Sequence, residues 1–411
     1  MKVTLVTVGC KLNQFETEAL AQQLRQGGFE VVGSMEDADV VVVNTCTVTN
    51  RADGKSRQYM KQARRLGKTV VVTGCYASTD GEEIRKRGLA DILLSNEEKF
   101  TLVSVLQETK TETKKDDFPL VVECERTRAY LKIQDGCNRF CSYCKIPYGR
   151  GRSRSLSFDE GMKRFRELVD RGFKEIVLTG VNISDYHWEG KTLADLLEAM
   201  LSVEGEFRVR LSSLQPDQFD DRFLSFLWHP RMAPHFHLSL QSGSTTVLER
   251  MRRKYTREDV LLLWRRIREV REDTALTADI IVGFPGETEK EFQETVEVIE
   301  KIGLCRVHLF SYSPRVGTWA ARQPQIDEQT KKERLHFLEE ITHRRAMEWV
   351  EKTILGRVSH MLVEESSGGK SYGYTEHYLY AEVNGEYGEN TFVSFVPSRV
   401  WLHQQAVAVK E

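Results

Sequence analysis

The chain has 411 residues, a formal net charge of −2 and 40% hydrophobic residues. That length supports two or three domains with full cores, and the balanced charge excludes a global basic field as a source of nucleic-acid affinity. No run approaches the ~20 apolar residues of a membrane-spanning helix, and the opening residues are too short and strand-like for a signal peptide, so a cytoplasmic, non-membrane protein is expected.

Three β-branched segments open the chain, and each ends at a cysteine. Residues 3–8 run into Gly9-Cys10, residues 39–45 into Cys46, and residues 69–74 into Cys75. Helical stretches at 16–26 and 51–66 separate them, a pattern that predicts a parallel α/β sheet. In such a sheet the C-terminal ends of the strands share the edge where ligands bind. Cys10, Cys46 and Cys75 are therefore expected to converge there. A polar stretch at 107–118 closes this domain, expected over residues 1–112.

Residues 119–348 read as six strand–helix units. Strands are expected at 129–134, 175–179, 208–212, 235–240, 278–282 and 306–311. Helices such as 159–171, 193–201, 257–271 and 289–302 alternate with them. This pattern predicts an open (β/α)6 barrel with its functional rim at the C-terminal ends of the strands. Gln134, Gly180, Ser212, Gln241 and Gly283 stand at those ends. A charged helix at 328–350 leads into a tail, residues 349–411, whose short alternating strands predict a small β-barrel. The fold class is α/β.

After the first barrel strand comes Cys137-Asn138-Arg139-Phe140-Cys141-Ser142-Tyr143-Cys144. Eight cysteines in a cytosolic chain argue against disulfides. Structural zinc usually takes four N/S ligands with paired spacing, and no partner pair follows. Three thiolates on one loop suit a four-iron cluster with one iron left open. Cys124 and Cys305 carry no metal role in this reading. Arg150, Arg152 and Arg154 alternate, so in an extended loop they share one side. With Arg250, Arg252, Arg253 and Lys254 they form the local basic patches that suit phosphate contact.

The cysteine loop, with Tyr143 before its last cysteine, resembles the radical S-adenosylmethionine (SAM) superfamily. The resemblance implies a 4Fe-4S cluster on Cys137, Cys141 and Cys144 whose open iron chelates S-adenosyl-L-methionine and whose electron cleaves it to a 5′-deoxyadenosyl radical. The segments Gly9-Cys10-Lys11-Leu12-Asn13-Gln14-Phe15-Glu16, Asn44-Thr45-Cys46-Thr47-Val48-Thr49 and Thr73-Gly74-Cys75-Tyr76-Ala77 resemble the N-terminal domain of the methylthiotransferases. They imply a second 4Fe-4S cluster on Cys10, Cys46 and Cys75 that carries the sulfur. The same resemblance implies a SAM pocket that draws on Tyr143, Gly180, Asn182, Ser212, Gln241, Ser242, Asp279 and Gly283.

Local motifs, including Gly149-Arg150-Gly151-Arg152-Ser153-Arg154-Ser155, resemble the branch that acts on threonylcarbamoyladenosine in the tRNA anticodon loop. The family's other substrates are isopentenyladenosine in tRNA and an aspartate of a ribosomal protein. An electron donor protein and a sulfur source are implied partners. A non-catalytic, RNA-binding iron–sulfur protein is the alternative from another class. The tail segment Gly373-Tyr374-Thr375-Glu376-His377-Tyr378 resembles the TRAM domain, an RNA-binding β-barrel. Residues 347–411 carry nine acidic and five basic side chains, however, and an acidic surface repels phosphate. RNA contact there would rest on base stacking by Tyr374, with Tyr372 and Tyr378. Tyrosines that fill the barrel core are the equal alternative.

Overall fold

The computed structural model describes residues 1–109, 118–122, 126–403 and 406–411. Cys124 and most of the polar stretch at 107–118 lie outside the described residues. No helix among the described residues is long and apolar enough to cross a membrane.

The N-terminal sheet has five parallel strands, in the spatial order Glu30–Val31, Lys2–Thr7, Val40–Thr45, Thr69–Gly74, Ile92–Leu93. Val40–Thr45 is buried along its whole length. A continuous Val run is what a central parallel strand covered on both faces requires. The helices Lys11–Gln26, Asn50–Arg65 and Cys75–Lys86 make the crossovers.

Six parallel strands follow: Ala129–Lys132, Glu175–Thr179, Arg208–Leu211 continued by Ser213–Leu214, His235–Gln241, Ala275–Val282 and Arg306–Ser311. The hydrogen-bonded ladder breaks at Ser212, which leaves a three-stranded and a four-stranded sheet. Phe236, Leu238 and Leu240, with Leu276, Ala278, Ile280 and Val282, belong to the core beneath the outer helices. By the two-residue alternation of a strand, His235, His237, Ser239, Gln241, Thr277, Asp279 and Ile281 face the interior. The inner-face Tyr130 and Val177 pack instead against Leu12, Phe15 and Ala19 of the N-terminal helix. The N-terminal sheet unit thus lies against the inside of the first two barrel strands.

The helix Glu328–Thr353 leads to a mixed six-stranded β-unit. Its core of Met361, Val363, Leu379, Ala381, Val383, Val407 and Val409 packs on Ala346, Val350 and Ile354. Tyr372, Tyr374, Tyr378 and Tyr380 are absent from that core. The β-unit docks on the starting ends of the barrel strands through two buried guanidinium groups. Arg208 donates to the carbonyls of His360 and Tyr374, both at 2.8 Å, and Arg210 to those of Thr375 and Glu376, both at 3.0 Å. Glu175 pairs with both arginines. Burial raises its carboxyl, but the two guanidiniums outweigh burial and hold it far below the usual range.

Candidate active site

Cys10 precedes the helix Lys11–Gln26, Cys46 follows the strand Val40–Thr45, and Cys75 is the first residue of the helix Cys75–Lys86. Adjacent parallel strands therefore deliver all three to one edge, with Thr7 opposite Asn44 and Thr45 opposite Gly74. Close approach of these loops needs glycine. At Gly9 (φ +122) a Cβ would lie 2.6 Å from the Cys46 Cβ, and at Gly74 (φ +97) it would lie 2.4 Å from the Thr45 carbonyl oxygen. Asn13 ties two loops by donating to the carbonyls of Val8 (2.8 Å) and Thr45 (2.9 Å). Burial, then the neighbouring Cys10 and Cys75, push the Cys46 thiol up to about 12. The protein crowded around the Cys10 thiol also raises it, although the residue is exposed; Arg150 opposes the rise and Cys75 adds to it.

The second triad sits on the loop after the first barrel strand. The Arg139 and Ile146 amides donate to the sulfurs of Cys137 and Cys144 at 3.4 Å, and Arg253 Nη1 lies 3.1 Å from the Cys141 Sγ. Burial raises the Cys137 and Cys144 thiols, and Cys141 raises both further. Buried thiols that raise one another need a cation before all can be thiolates. Among the described residues, only His237, Asp279 and His308 bring three ligand atoms within 4.8 Å of one another. Neither cysteine triad is so tight, whereas one zinc with Zn–S bonds of ~2.3 Å would hold its sulfurs ~3.8 Å apart. Neither triad is therefore set for a single zinc ion.

The two triads share one interface. Five residues beyond Cys144, Gly149 on the helix Ile146–Arg150 lies so close to the first triad that a Cβ there would be 3.3 Å from the Cys75 carbonyl oxygen. Asn96 donates to the Gly149 carbonyl at 2.7 Å, and its amide nitrogen lies 3.7 Å from the Cys75 Sγ. Lys145 pairs with Asp80 at 2.9 Å. Arg315, from the loop after the last barrel strand, pairs with Asp53 (2.6 Å) and donates to Asn50 (2.6 Å), which clamps the segment after Cys46.

Arg150 does not face solvent. Residues 146–150 are helical, so the alternation of Arg150 with Arg152 and Arg154 in an extended loop does not hold there. Arg150 is 3% exposed. Its guanidinium donates to Glu16 (2.7 and 2.9 Å), Asp135 (3.1 Å) and Asn13 (2.8 Å). Lys99 and Lys132 also pair with Glu16, and Lys132 lies 2.7 Å from Asp135. Burial raises Glu16, but Arg150, Lys99 and Lys132 hold it well below the carboxylate range. Burial also raises Asp135, yet Lys132 and Arg150 bring it down to about 2. Depressed carboxyls stabilise the fold above their unfolded pKa and lose that contribution as pH falls through the folded value. Asp135 should therefore contribute about 2 kcal/mol that fades between roughly pH 4 and pH 2. Urea denaturation at pH 5 and pH 3 should show a smaller acid loss in Asp135→Asn than in the parent chain. Equal losses would remove Asp135 from the account.

The other basic candidates divide. Arg152 is exposed, its guanidinium 4.6 Å from the Phe140 ring, and Phe140 meets Tyr148 edge-on at 5.9 Å. Arg154 pairs with Asp135 at 3.4 Å. Arg253 turns inward to Cys141 and Arg250 pairs with Glu291 (2.8 Å), so Arg252 and Lys254 are what that patch exposes. Tyr374 is half-buried, 5.1 Å from Tyr378 and 4.5 Å from the Arg128 guanidinium, which places it at the barrel junction and not on a free stacking face. Tyr378 reaches further, to within 4.6 Å of Lys11 Nζ beside Cys10.

At the rim, Tyr143 donates to Gln241 Oε1 at 3.0 Å, and Gln241 adopts a left-handed φ of +68. Gly180 abuts Gln134, where a Cβ would meet the Gln134 carbonyl oxygen at 2.7 Å. Asn182 is 1% exposed with both amide atoms unpartnered, and the buried Ser212 Oγ is unpartnered as well. Buried polar atoms without partners are uncommon, so these suit a polar ligand at the rim. Two candidates point elsewhere: Ser242 turns to Thr295 (3.2 Å) and the Gly283 amide donates to Glu287 (2.7 Å). Asp279 faces the interior and engages His237 and His308, each at 3.2 Å. Sequence reasoning passed over Asn96 and Arg315, gave Asn13 no role beyond its motif and read Arg253 as a phosphate contact, whereas it lies against the Cys141 sulfur. Their only signal is adjacency in space.

Known proteins resemble this chain along nearly its whole length. Residues 131–299 match the Radical SAM superfamily and residues 2–95 match Uncharacterized protein family UPF0004. The threonylcarbamoyladenosine tRNA methylthiotransferase MtaB of Aquifex aeolicus is 39% identical, over 89% of this chain and 94% of its own. The MtaB of Bacillus subtilis is 38% identical, over 92% and 89%. The tRNA-2-methylthio-N(6)-dimethylallyladenosine synthase of Fusobacterium nucleatum is 36% identical, over 89% of each chain. The radical SAM methyltransferase TsrM of Kitasatospora setae shares the fold, with a TM-score of 0.58 at 16% identity over 78% of this chain and 77% of its own.

Proposed function

We propose, from the premise that this chain belongs to the radical SAM methylthiotransferase family, that it places a methylthio group on C2 of the threonylcarbamoyladenosine beside the anticodon of tRNA. The observation that carries the reading is the pair of cysteine triads on one interface, joined by the short segment from Cys144 to Gly149 against Cys75. Relatives named for threonylcarbamoyladenosine reach 36–39% identity, and those named for dimethylallyladenosine reach 32–36%.

Cys137, Cys141 and Cys144 would hold the cluster that binds SAM, and Cys10, Cys46 and Cys75 a second one. Bound there, a reduced cluster with SAM supplies the one-electron chemistry that removes hydrogen from a carbon too weakly acidic for any side-chain base. The protein's own part is placement. Asn182 and Ser212 offer unpartnered polar atoms to a ligand at the rim, and Tyr143 and Gln241 brace the loop against the fourth barrel strand. Arg253 and the loop amides donate to the sulfurs, a lever that tunes cluster potential. Arg152 over Phe140, beside Tyr148, offers a cation and two rings to a splayed loop base.

Mass spectrometry of tRNA nucleosides from cells with and without the gene tests the reading. The methylthio form of threonylcarbamoyladenosine should vanish in the deletion, and its unthiolated precursor should rise. An unchanged pair of nucleosides would overturn the substrate assignment.

A further inference from the structure

Three polar side chains form a hydrogen-bonded group on the inner face of the barrel, below the rim. His237 Nε2 lies 3.2 Å from Asp279 Oδ2, and His308 Nδ1 lies 3.2 Å from Asp279 Oδ1. Backbone register builds the group: Asp279 faces His308 directly across the ladder, and Thr277 faces His237. His237 uses its second nitrogen on the Thr277 hydroxyl at 2.8 Å, and that hydroxyl also meets His235 Nε2 at 3.1 Å. His237 is therefore fixed at both ends. His308 is fixed only through Nδ1. Its side chain is 40% exposed, and Nε2 has no partner among the described residues.

The group lies next to the rim residues discussed above. Gln241 pairs with Ile280, one residue above Asp279 along the strand. A strand rises ~3.4 Å per residue, so Asp279 sits a single step below the residue that accepts from Tyr143. Burial disfavours charge on Asp279, but His237 and His308 outweigh it and keep the carboxyl well below the ordinary range. It thus stays an acceptor that orients both rings. A carboxylate that fixes one imidazole nitrogen and leaves the other unpartnered on the inner face presents a ready hydrogen-bonding group.

We infer that His308, positioned by Asp279, reads the substituent on the substrate base and selects a polar, hydrogen-bonding group over a hydrocarbon. This rests on the substrate reading given above. A threonylcarbamoyl group brings a carboxylate, a hydroxyl and a urea-like linkage to meet Nε2. A dimethylallyl group brings none, and would leave His308 Nε2 without a partner or water in a closed site. A site built to hydrogen-bond its substrate rejects the analogue that lacks those groups far better than an apolar pocket rejects an added methylene.

The test uses cluster-reconstituted enzyme and two tRNAs that differ only in carrying threonylcarbamoyl or dimethylallyl on the target adenosine. In His308→Leu, kcat/KM on the threonylcarbamoyl tRNA should fall about 10- to 100-fold, the scale of one lost hydrogen bond to a charged or strongly polar group. The ratio between the two tRNAs should narrow accordingly. Formation of 5′-deoxyadenosine without tRNA should not change, which shows the clusters intact. His308→Gln, which keeps a hydrogen-bonding head, should restore part of the ratio. Asp279→Asn should narrow it less than His308→Leu does. An unchanged ratio in His308→Leu, or an equal fall on both tRNAs, overturns the inference and leaves the substrate reading standing. A parent enzyme inactive on the threonylcarbamoyl tRNA but active on the other overturns both.

Discussion

Cys141→Ala is expected to abolish 5′-deoxyadenosine formation from SAM, whereas Cys46→Ala is expected to keep it and lose the methylthio product. The difference follows from where each sulfur sits. Cys141 is the thiol that Arg253 addresses at 3.1 Å, between two cysteines whose sulfurs accept loop amides. Removing it leaves two ligands on a loop with no nearby replacement among the described residues. Cys305, though buried, belongs to the core between the helix Glu328–Thr353 and the β-unit. Cys46 stands in the other triad, on the edge of a separate sheet whose contact with the barrel loop runs through Cys75 and Gly149. Anaerobic assays with excess reductant, read by chromatography for 5′-deoxyadenosine and by mass spectrometry for the tRNA nucleoside, separate the two outcomes. If Cys46→Ala lost SAM cleavage as completely as Cys141→Ala, with the iron of the Cys137 loop still present, the division of labour between the triads would be wrong.

Arg150→Met should destabilise the chain by about 3–5 kcal/mol, because it strips a buried, multiply bonded cation from two carboxylates. Glu16 and Asp135 lie on different units of the chain, so the damage falls on their junction. Lys99 and Lys132 would remain, but neither takes over both Glu16 oxygens together with Asn13, as Arg150 does. Asn13 braces the Cys10 and Cys46 loops, so the cluster proposed for the first triad should also be lost more readily. Glu16→Leu alone should also be costly, because it leaves the buried Lys99 without its carboxylate partner, and adding it to Arg150→Met should cost less than the two changes summed. Equilibrium urea unfolding of the two single variants and the double measures the coupling. A coupling below about 0.5 kcal/mol would mean that Arg150 and Glu16 act independently.

The architecture was legible because each unit announces itself locally. The Val runs before Cys46 and Cys75 gave their strands to within a residue, and the barrel strand Glu175–Thr179 was bounded correctly. The positions of the cysteines at strand ends and on the loop after the first barrel strand were legible for the same reason, since strand ends and loop spacing are properties of neighbouring residues. Arg150 was misread because its alternation with Arg152 and Arg154 is a local pattern, whereas its burial depends on Glu16, 134 residues away. Tyr374 was uncertain for a similar cause: Arg128, which holds it, comes from the first barrel segment. Ser242 and Gly283 follow the rim motifs yet face a neighbouring helix or turn, because a strand-end glycine or serine serves tight connections as readily as ligands. His308 carried no signal at all, since a lone histidine in a strand gains meaning only from the aspartate opposite.

The buried charges around Glu16 also impose an order on biosynthesis. A ribosome delivers Glu16 and Lys99 well before Lys132, Asp135 and Arg150, so a nascent N-terminal sheet carries an incomplete ion set facing a barrel not yet made. An unmatched buried charge is costly, so that surface stays open to water until residue 150 has left the exit tunnel. Iron delivered to Cys10, Cys46 and Cys75 before then would meet loops that lack their final brace. Completion of the loops that carry Cys10, Cys46 and Cys75 is thereby tied to completion of the barrel, and a chain that stalls early exposes its first three thiols to oxidation.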